Sequence, residues 1–339
     1  MENSIAKAKT SKNEIVAAFG LPEVRKTRRL RDCPLGTVLI ETARGMYIAS
    51  RWERTELELK RAAHFWTYMR RHGLPVPVPV SDRAGRQWLA LHHEIWSVHQ
   101  VKRWCLQPMQ DGNLRHLAAV GRTLARYHWA GKGYRKGSEE RFSWERLHQL
   151  YLCVRSSVPA HLKRTVRVLD EEFEFLGSAL EGAKLPRGPI LGEVGPDRFC
   201  FDGNEVAFVL HCEPDHRGPF LFDLAQAVNR YCFLGRRYRL EPFEALVRAY
   251  DRTRPLALVE WDAFPNHLRF SALRGVCMAL QKMSADNSGA HEKWEVLFQE
   301  WFERLRVLRR ECEGGLGVLL VFMATAYDYR RLHRQRERV

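Results

Sequence analysis

Paired cysteines are missing from this chain: its eight cysteines, at positions 33, 105, 153, 200, 212, 232, 277 and 312, are scattered, with no CxxC pair and no Cys/His cluster at metal-ligand spacing. That pattern argues against a disulfide framework or a zinc finger and points to a reducing cytoplasm. Long apolar runs are also lacking. The longest, Leu316–Tyr327, has 12 residues, short of the ~20 that cross a bilayer as a helix. The opening stretch MENSIAKAKTSKNEIVAAF holds no apolar core of signal-peptide length. No internal repeat with a period of about 20–50 residues is visible. Phosphate-loop patterns fail too. Gly131-Lys132-Gly133 lacks the leading Gly and the Ser/Thr of a Walker loop, and Gly314-Gly315-Leu316-Gly317 has no Lys-Ser/Thr and reads as a joint.

What the chain has is ordinary globular material: 339 residues, 45% hydrophobic and 28% charged. That length suggests two domains or two closely packed lobes with a large core. Lys and Arg total 55 against 40 Asp and Glu, a net charge of +15. A polyanionic partner would need a clustered basic footprint. The arginines instead recur along the whole chain, so nucleic acid is not the favoured partner. The one local concentration is the end, with Arg331, Arg334, Arg336 and Arg338. An apolar run followed by that basic flank, 316–339, either covers a patch on its own protein or lies on a membrane surface or a partner.

Residues 12–20 predict a short helix ending at Gly20-Leu21-Pro22. Thr37–Thr42 and Met46–Trp52, rich in Val, Ile, Leu and Tyr around Ala43-Arg44-Gly45, predict a β-hairpin. Leu57, Ala62, Phe65, Trp66 and Met69 recur at helical spacing over 55–72, and Gly73 stops the helix. Pro75-Val76-Pro77-Val78-Pro79-Val80 must be extended, because each Pro pushes its predecessor out of the helical region. Further strands are expected at Trp88–His92 and Ile95–Val101. From Asn113 the pattern turns helical, at 114–129, 144–154, 162–180, 221–233, 242–250, 263–283 and 292–308. One island interrupts, 188–215, where two apolar runs flank Asp202-Gly203-Asn204, a hairpin signal.

That island carries a resemblance. LPRG (185–188), GxxxPDR (192–198), FxFDGNEV (199–206) and FDLAQAVNRYCF (222–233) resemble the homoserine-kinase branch of the aminoglycoside-phosphotransferase family. TARGMYIASRW (42–52), HGLPVPVPVSDRAG (72–85), GRTLARYHWAG (121–131) and AYDRTRPL (249–256) match in the family's order, so the likeness runs over about 40–310. The resemblance implies an α+β, two-lobed, protein-kinase-like fold. A small β-rich N-lobe would span 1–103, and a mainly helical C-lobe 104–312, carrying the 188–215 hairpin. A basic tail, 313–339, follows.

Active members transfer the γ-phosphoryl of ATP to a hydroxyl, a reaction that rests on positioning and on Mg²⁺ held by oxygen ligands. The resemblance places the family's catalytic Asp at Glu193, its metal-binding Asn at Arg198 and its second metal-binding Asp at His211. A Lys that meets phosphates in many kinases would fall at Ser50. Glu193 is one methylene longer than Asp. Arg198 has no acceptor at all, and the His211 imidazole suits softer metals than Mg²⁺. Three readings follow: a site that has lost catalysis, with Arg198 standing where the metal would be; an active phosphotransferase using Glu193 as base and Asp197, Glu213 or Asp215 for metal; and a transition-metal site of His211, Cys212 and Glu193. The last is disfavoured because neighbours on a strand point to opposite faces. The first is the expectation: a pseudokinase with no cofactor, acting through an unidentified small molecule or partner protein, against an ATP- and Mg-dependent kinase of a small hydroxyl compound. Asp223, at a helix start, and His128 are expected to be structural.

Overall fold

The computed structural model describes residues 10–29, 37–52, 55–76, 78–92, 94–101, 113–135, 142–156, 158–182, 184–210, 216–234, 237–285 and 291–313. Its contacts divide into two compact units, residues 1–111 with 197–213, and 112–196 with 214–339.

The first unit opens with α1 (Lys12–Ala18) and an antiparallel sheet of β1 (Val24–Arg29), β2 (Val38–Thr42) and β3 (Gly45–Trp52). Then come α2 (Glu56–Arg71), β4 (Val78–Pro79), β5 (Leu89–Leu91) and β6 (Glu94–Val101), giving the order β1-β2-β3-β6-β4 with β5 also on β6. Both helices start on reciprocal caps. The Ser11 hydroxyl accepts from Glu14 N–H while the Glu14 carboxylate accepts from Ser11 N–H, and Thr55 and Glu58 repeat the arrangement. The Glu14 carboxyl is drawn down to about 2 by its bonds to Ser11 and His92.

Strand alternation sorts the sheet's side chains onto two faces. Val38, Ile40, Tyr47, Ala49, Trp96 and Val98 pack with Ile15 of α1 and Phe19, which caps its C-terminal end. Leu39, Met46, Ile48 and Val101 point the other way. Two local expectations change here. Strand β1, VRKTRR, has no apolar alternation to announce it; its backbone pairs along β2, and Val24 alone of its named side chains packs on the apolar face. Leu57, expected on the buried stripe of α2, is 58% exposed, while Leu59 two positions on is buried.

The second unit holds α3 (Leu114–Gly131), α4 (Trp144–Arg155), α5 (Lys163–Ala179) and β7 (Arg187–Pro189). After a 3-10 turn at Pro196–Arg198 comes the hairpin β8 (Phe199–Asp202) and β9 (Glu205–Val209), then β10 (Arg217–Pro219), α6 (Phe220–Tyr231), β11 (Phe233–Leu234), β12 (Arg237–Tyr238), α7 (Leu240–Thr253), α8 (Leu258–Ser284) and α9 (His291–Glu313). Gly203 takes φ +57° at the hairpin turn, a conformation glycine adopts without cost. The hairpin was expected within the helical lobe. Its residues instead cluster with the first unit: Cys200, Phe208 and Leu210 pack on Leu39, Met46 and Ile48, and Val209 N–H donates to Pro75 C=O at 2.8 Å. The cause is hydrophobic. One face of the sheet would otherwise be left in water, and the hairpin's apolar residues cover it.

The helices of the second unit meet through close contacts and buried charge. Arg269 of α8 forms a two-pronged bond to Glu172 of α5 at 2.8 and 2.6 Å, both side chains buried, and Arg309 of α9 reaches the same carboxylate at 3.4 Å. His267 of α8 is buried and bonds through Nδ1 to Ala263 C=O; burial pushes its imidazole down to about 4. The unfolded chain therefore takes up a proton near pH 6.5 that the folded one refuses until about 4. Stability present above pH 6.5 is lost as pH falls through that window, by up to about 3 kcal/mol. Replacing His267 with Gln should flatten the fall in denaturation midpoint between pH 7 and pH 5. An unchanged slope would show that this ring is not the group titrating.

Candidate functional site

The stretch Leu191–Arg198 leaves β7 as a loop, because Pro189 and the glycines around it prevent a longer ladder: β7 and β10 pair over only three residues each. Ile190 N–H still bonds His216 C=O at 2.9 Å. Beyond it, the loop is held by a side chain. Asp223, in the first turn of α6 and fully buried, accepts from Leu191 N–H at 2.6 Å and Gly192 N–H at 2.8 Å. At a helix start, this residue is expected from the sequence to be structural as a cap of its own helix. It is structural, but the amides that it ties down belong to the loop thirty-one and thirty-two residues earlier.

Behind Asp223 stands a chain of donors. His128 Nε2 lies 3.1 Å from Asp223 Oδ2, and its Nδ1 lies 2.7 Å from the Tyr250 hydroxyl. Arg254 Nη1 donates to that hydroxyl at 3.0 Å and pairs with buried Glu260 at 3.0 and 3.2 Å. Arg254 can only donate, so the Tyr250 hydroxyl accepts from it and donates its O–H to His128 Nδ1, and the His128 Nε2–H donates to Asp223. That order assigns the neutral imidazole, in agreement with burial, which pushes His128 down despite the neighbouring carboxylate. Phe220 stacks on the ring at 4.6 Å.

Gly192 adopts φ +72°, and a Cβ there would lie 1.9 Å from the Phe142 ring. The loop and that ring therefore touch, and glycine is required on both counts. Phe142 is fixed by Phe222 at 5.4 Å and by His216, nearly perpendicular to it, at 4.6 Å. The carboxylate of Glu193, 55% exposed, lies 3.4 Å from Arg274 Nη2, and the Arg274 guanidinium sits 4.3 Å over the Phe142 ring. Arg274 is on α8, and neither it nor Phe142 was singled out from the sequence. The signal was there in Arg269 and Arg274, two arginines inside the otherwise apolar stretch HLRFSALRGVCMAL. Only the fold says that one meets Glu172 and the other Glu193.

The other candidates lie in the first unit or outside the description. Arg198 ends the 3-10 turn, half-buried, and its carbonyl accepts from Leu210 N–H at 2.8 Å, closing the base of the hairpin. His211, Cys212, Glu213 and Asp215 fall outside the described residues. Asp197 lies on the same turn as Arg198. Ser50 is buried on β3, directly opposite Ser97 of β6. The Ser97 hydroxyl accepts from Trp52 Nε1–H at 2.7 Å and contacts His99 Nε2 at 3.0 Å, and Trp66 of α2 meets the His99 ring edge-on at 4.9 Å. Hydroxyls and aromatic rings surround the position where the resemblance would put a phosphate-binding Lys.

A small antiparallel sheet with its helix, a hairpin beneath it, and a helical unit whose buried Asp holds a loop define a protein-kinase-like phosphotransferase fold. The sequence pattern of the phosphotransferase enzyme family matches residues 36–258, and the chain belongs to that family. It is 28% identical over 290 residues to a homoserine kinase of Methylobacillus flagellatus, covering 84% of this chain and 86% of that one. A homoserine kinase of Rhodopseudomonas palustris is 27% identical over 241 residues, 70% of this chain and 72% of the other. Among solved structures, an amicoumacin kinase bound to AMP-PNP and Ca²⁺ superposes with a TM-score of 0.67 at 13% identity, over 89% of this chain and 94% of its own. A microcompartment-associated aminopropanol kinase gives 0.67 at 17%, over 88% and 97%. Among the described residues, no helix is long and apolar enough to cross a membrane.

Proposed function

We propose that this chain is a phosphotransferase-family protein that has given up phosphoryl transfer and works by binding a small ligand or a partner protein. The feature that supports the reading is Arg198, where the resemblance puts the family's metal-binding Asn. An octahedral Mg²⁺ needs oxygen at that position, and a guanidinium offers only N–H donors and a positive charge. The residues present therefore do not fit Mg²⁺ in the family's manner. Glu193 adds to the argument, since its carboxylate is engaged by the Arg274 guanidinium at 3.4 Å and is one methylene longer than the family's Asp. Among the described residues, the groups named around Ser50 are the Ser97 hydroxyl, the Trp52 and Trp66 indoles and the His99 imidazole, not a lysine ammonium.

A second reading has its own support. The scaffold that aims the loop, Asp223 with His128, is intact, and the matched relatives are named homoserine kinases. On that reading Glu193 takes the proton of a small hydroxyl substrate, an amino acid, amino alcohol or sugar, and other acids hold the metal.

Thermal denaturation with Mg·ATP, and with ATP plus EDTA, separates the two. A nucleotide at about 100 times its Kd adds about 2.7 kcal/mol to stability, a rise of several degrees. We expect no metal-dependent rise for the native chain. We expect one for the triple substitution Glu193→Asp, Arg198→Asn, His211→Asp, which restores the family's oxygen ligands. ATP consumption by the native chain that disappears in Glu193→Ala would establish the enzyme reading instead.

A further inference from the structure

Around Glu193, Phe142 and Arg274 complete a recognition element that goes beyond both readings. An aromatic face and a carboxylate around one planar cation are the two components by which proteins hold guanidinium and ammonium groups. Here the ring is immobilised from three sides. Phe222 stacks on it, His216 stands nearly perpendicular to it, and the Gly192 backbone lies so close that a Cβ would overlap it. The carboxylate beside it is set by the loop whose preceding amides are tied to Asp223. The ring is thus held independently of the cation over it, and the Glu193 carboxylate, half-exposed, extends from the backbone just after the anchored amides. The cation present is Arg274, 13% exposed, at 4.3 Å from the ring centre and 3.4 Å from Glu193.

We propose that Phe142 and Glu193 form an organic-cation slot which Arg274 fills from within the chain, so that a free guanidinium or primary ammonium compound enters only when that side chain is removed or swung aside. The inference deepens the reading of Glu193 as a binding group rather than a base, and it names the ligand class that the loop would accept. The faces of a guanidinium suit the ring, its edge N–H groups suit the carboxylate, and a neutral isostere such as urea lacks the charge that makes both contacts favourable. Tethering explains why the slot is closed by default: a side chain already placed there by α8 competes intramolecularly with any solute.

Chemical rescue tests the slot. In Arg274→Ala, and in Arg274→Gln should the smaller residue fail to fold, the denaturation midpoint should rise by about 2 °C or more with 10 mM methylguanidinium, ionic strength held constant with NaCl. The native chain should not respond, urea at equal concentration should not rescue, and Glu193→Gln or Phe142→Leu added to the Arg274 variant should abolish the effect. Rescue that persists without the Glu193 charge, or equal rescue by urea, or none in either Arg274 background, overturns the slot. ATP turnover measured on the same proteins reports separately. Turnover with rescue intact removes only the non-catalytic reading, and absent rescue without turnover removes only the slot.

Discussion

Replacing Asp223 with Ala should cost this protein about 4 kcal/mol of stability, enough to abolish the folded second unit in a marginal chain. The carboxylate is fully buried and serves three donors at once, the amides of Leu191 and Gly192 and the ring of His128. Its removal leaves each without an acceptor, at about 1–3 kcal/mol apiece where water does not enter. Asn at the same place keeps one acceptor oxygen but presents an amide group to an N–H, so Asp223→Asn should recover only part of the loss. Denaturant titration of the three proteins checks the order native, Asn, Ala. A difference under about 1 kcal/mol for Ala would mean that solvent already reaches these amides. Because the loop that carries Glu193 hangs on the same carboxylate, the Arg274 rescue should weaken in Asp223→Asn as well.

The other large effect belongs to a glycine. Gly121 lies mid-helix in α3, and a Cβ built there falls 2.2 Å from the backbone carbonyl oxygen of Leu246 in α7. A side-chain neighbour could rotate away; a carbonyl in the next helix cannot. Ala is the better helix former by about 1 kcal/mol, so on a lone helix Gly121→Ala would stabilise. In this fold the methyl group must push two packed helices apart, and overpacking of a rigid contact costs about 3 kcal/mol or more. The clash wins, and the midpoint should fall by several degrees. Rising stability in Gly121→Ala would show that α3 and α7 are not in contact at that point.

Much of the architecture is legible in the linear order of residues. Gly45 and Gly203 between apolar runs announce the hairpins, Ser11, Thr55 and Ser143 start helices, and the 3–4 spacing of Phe65, Trp66 and Met69 marks the face that α2 buries. Those are local properties, set by which φ a residue tolerates and which side of a helix it occupies. Strand β1 escaped because its partner supplies the hydrogen bonds while its side chains, Val24 apart, are polar, so no alternation records it. Leu57 misled because spacing alone does not separate the centre of an apolar stripe from its edge.

The candidate site divides along the same line. That Glu, Arg and His stand at positions 193, 198 and 211 is written in the sequence, and so is the chemical consequence: a cation with no acceptor does not serve as a ligand for magnesium. Which groups surround Glu193 was decided only by folding, because Phe142, Glu193 and Arg274 are separated by 51 and 81 positions and are brought together by α6, the loop and α8 packing in one core. Local chain stiffness reaches a few residues, so contacts at that separation are chosen by burial of apolar surface and by buried charge finding a partner. Membership of the hairpin 199–209 was settled in the same way: its order in the chain places it among helices, and the apolar face of the first sheet claims it.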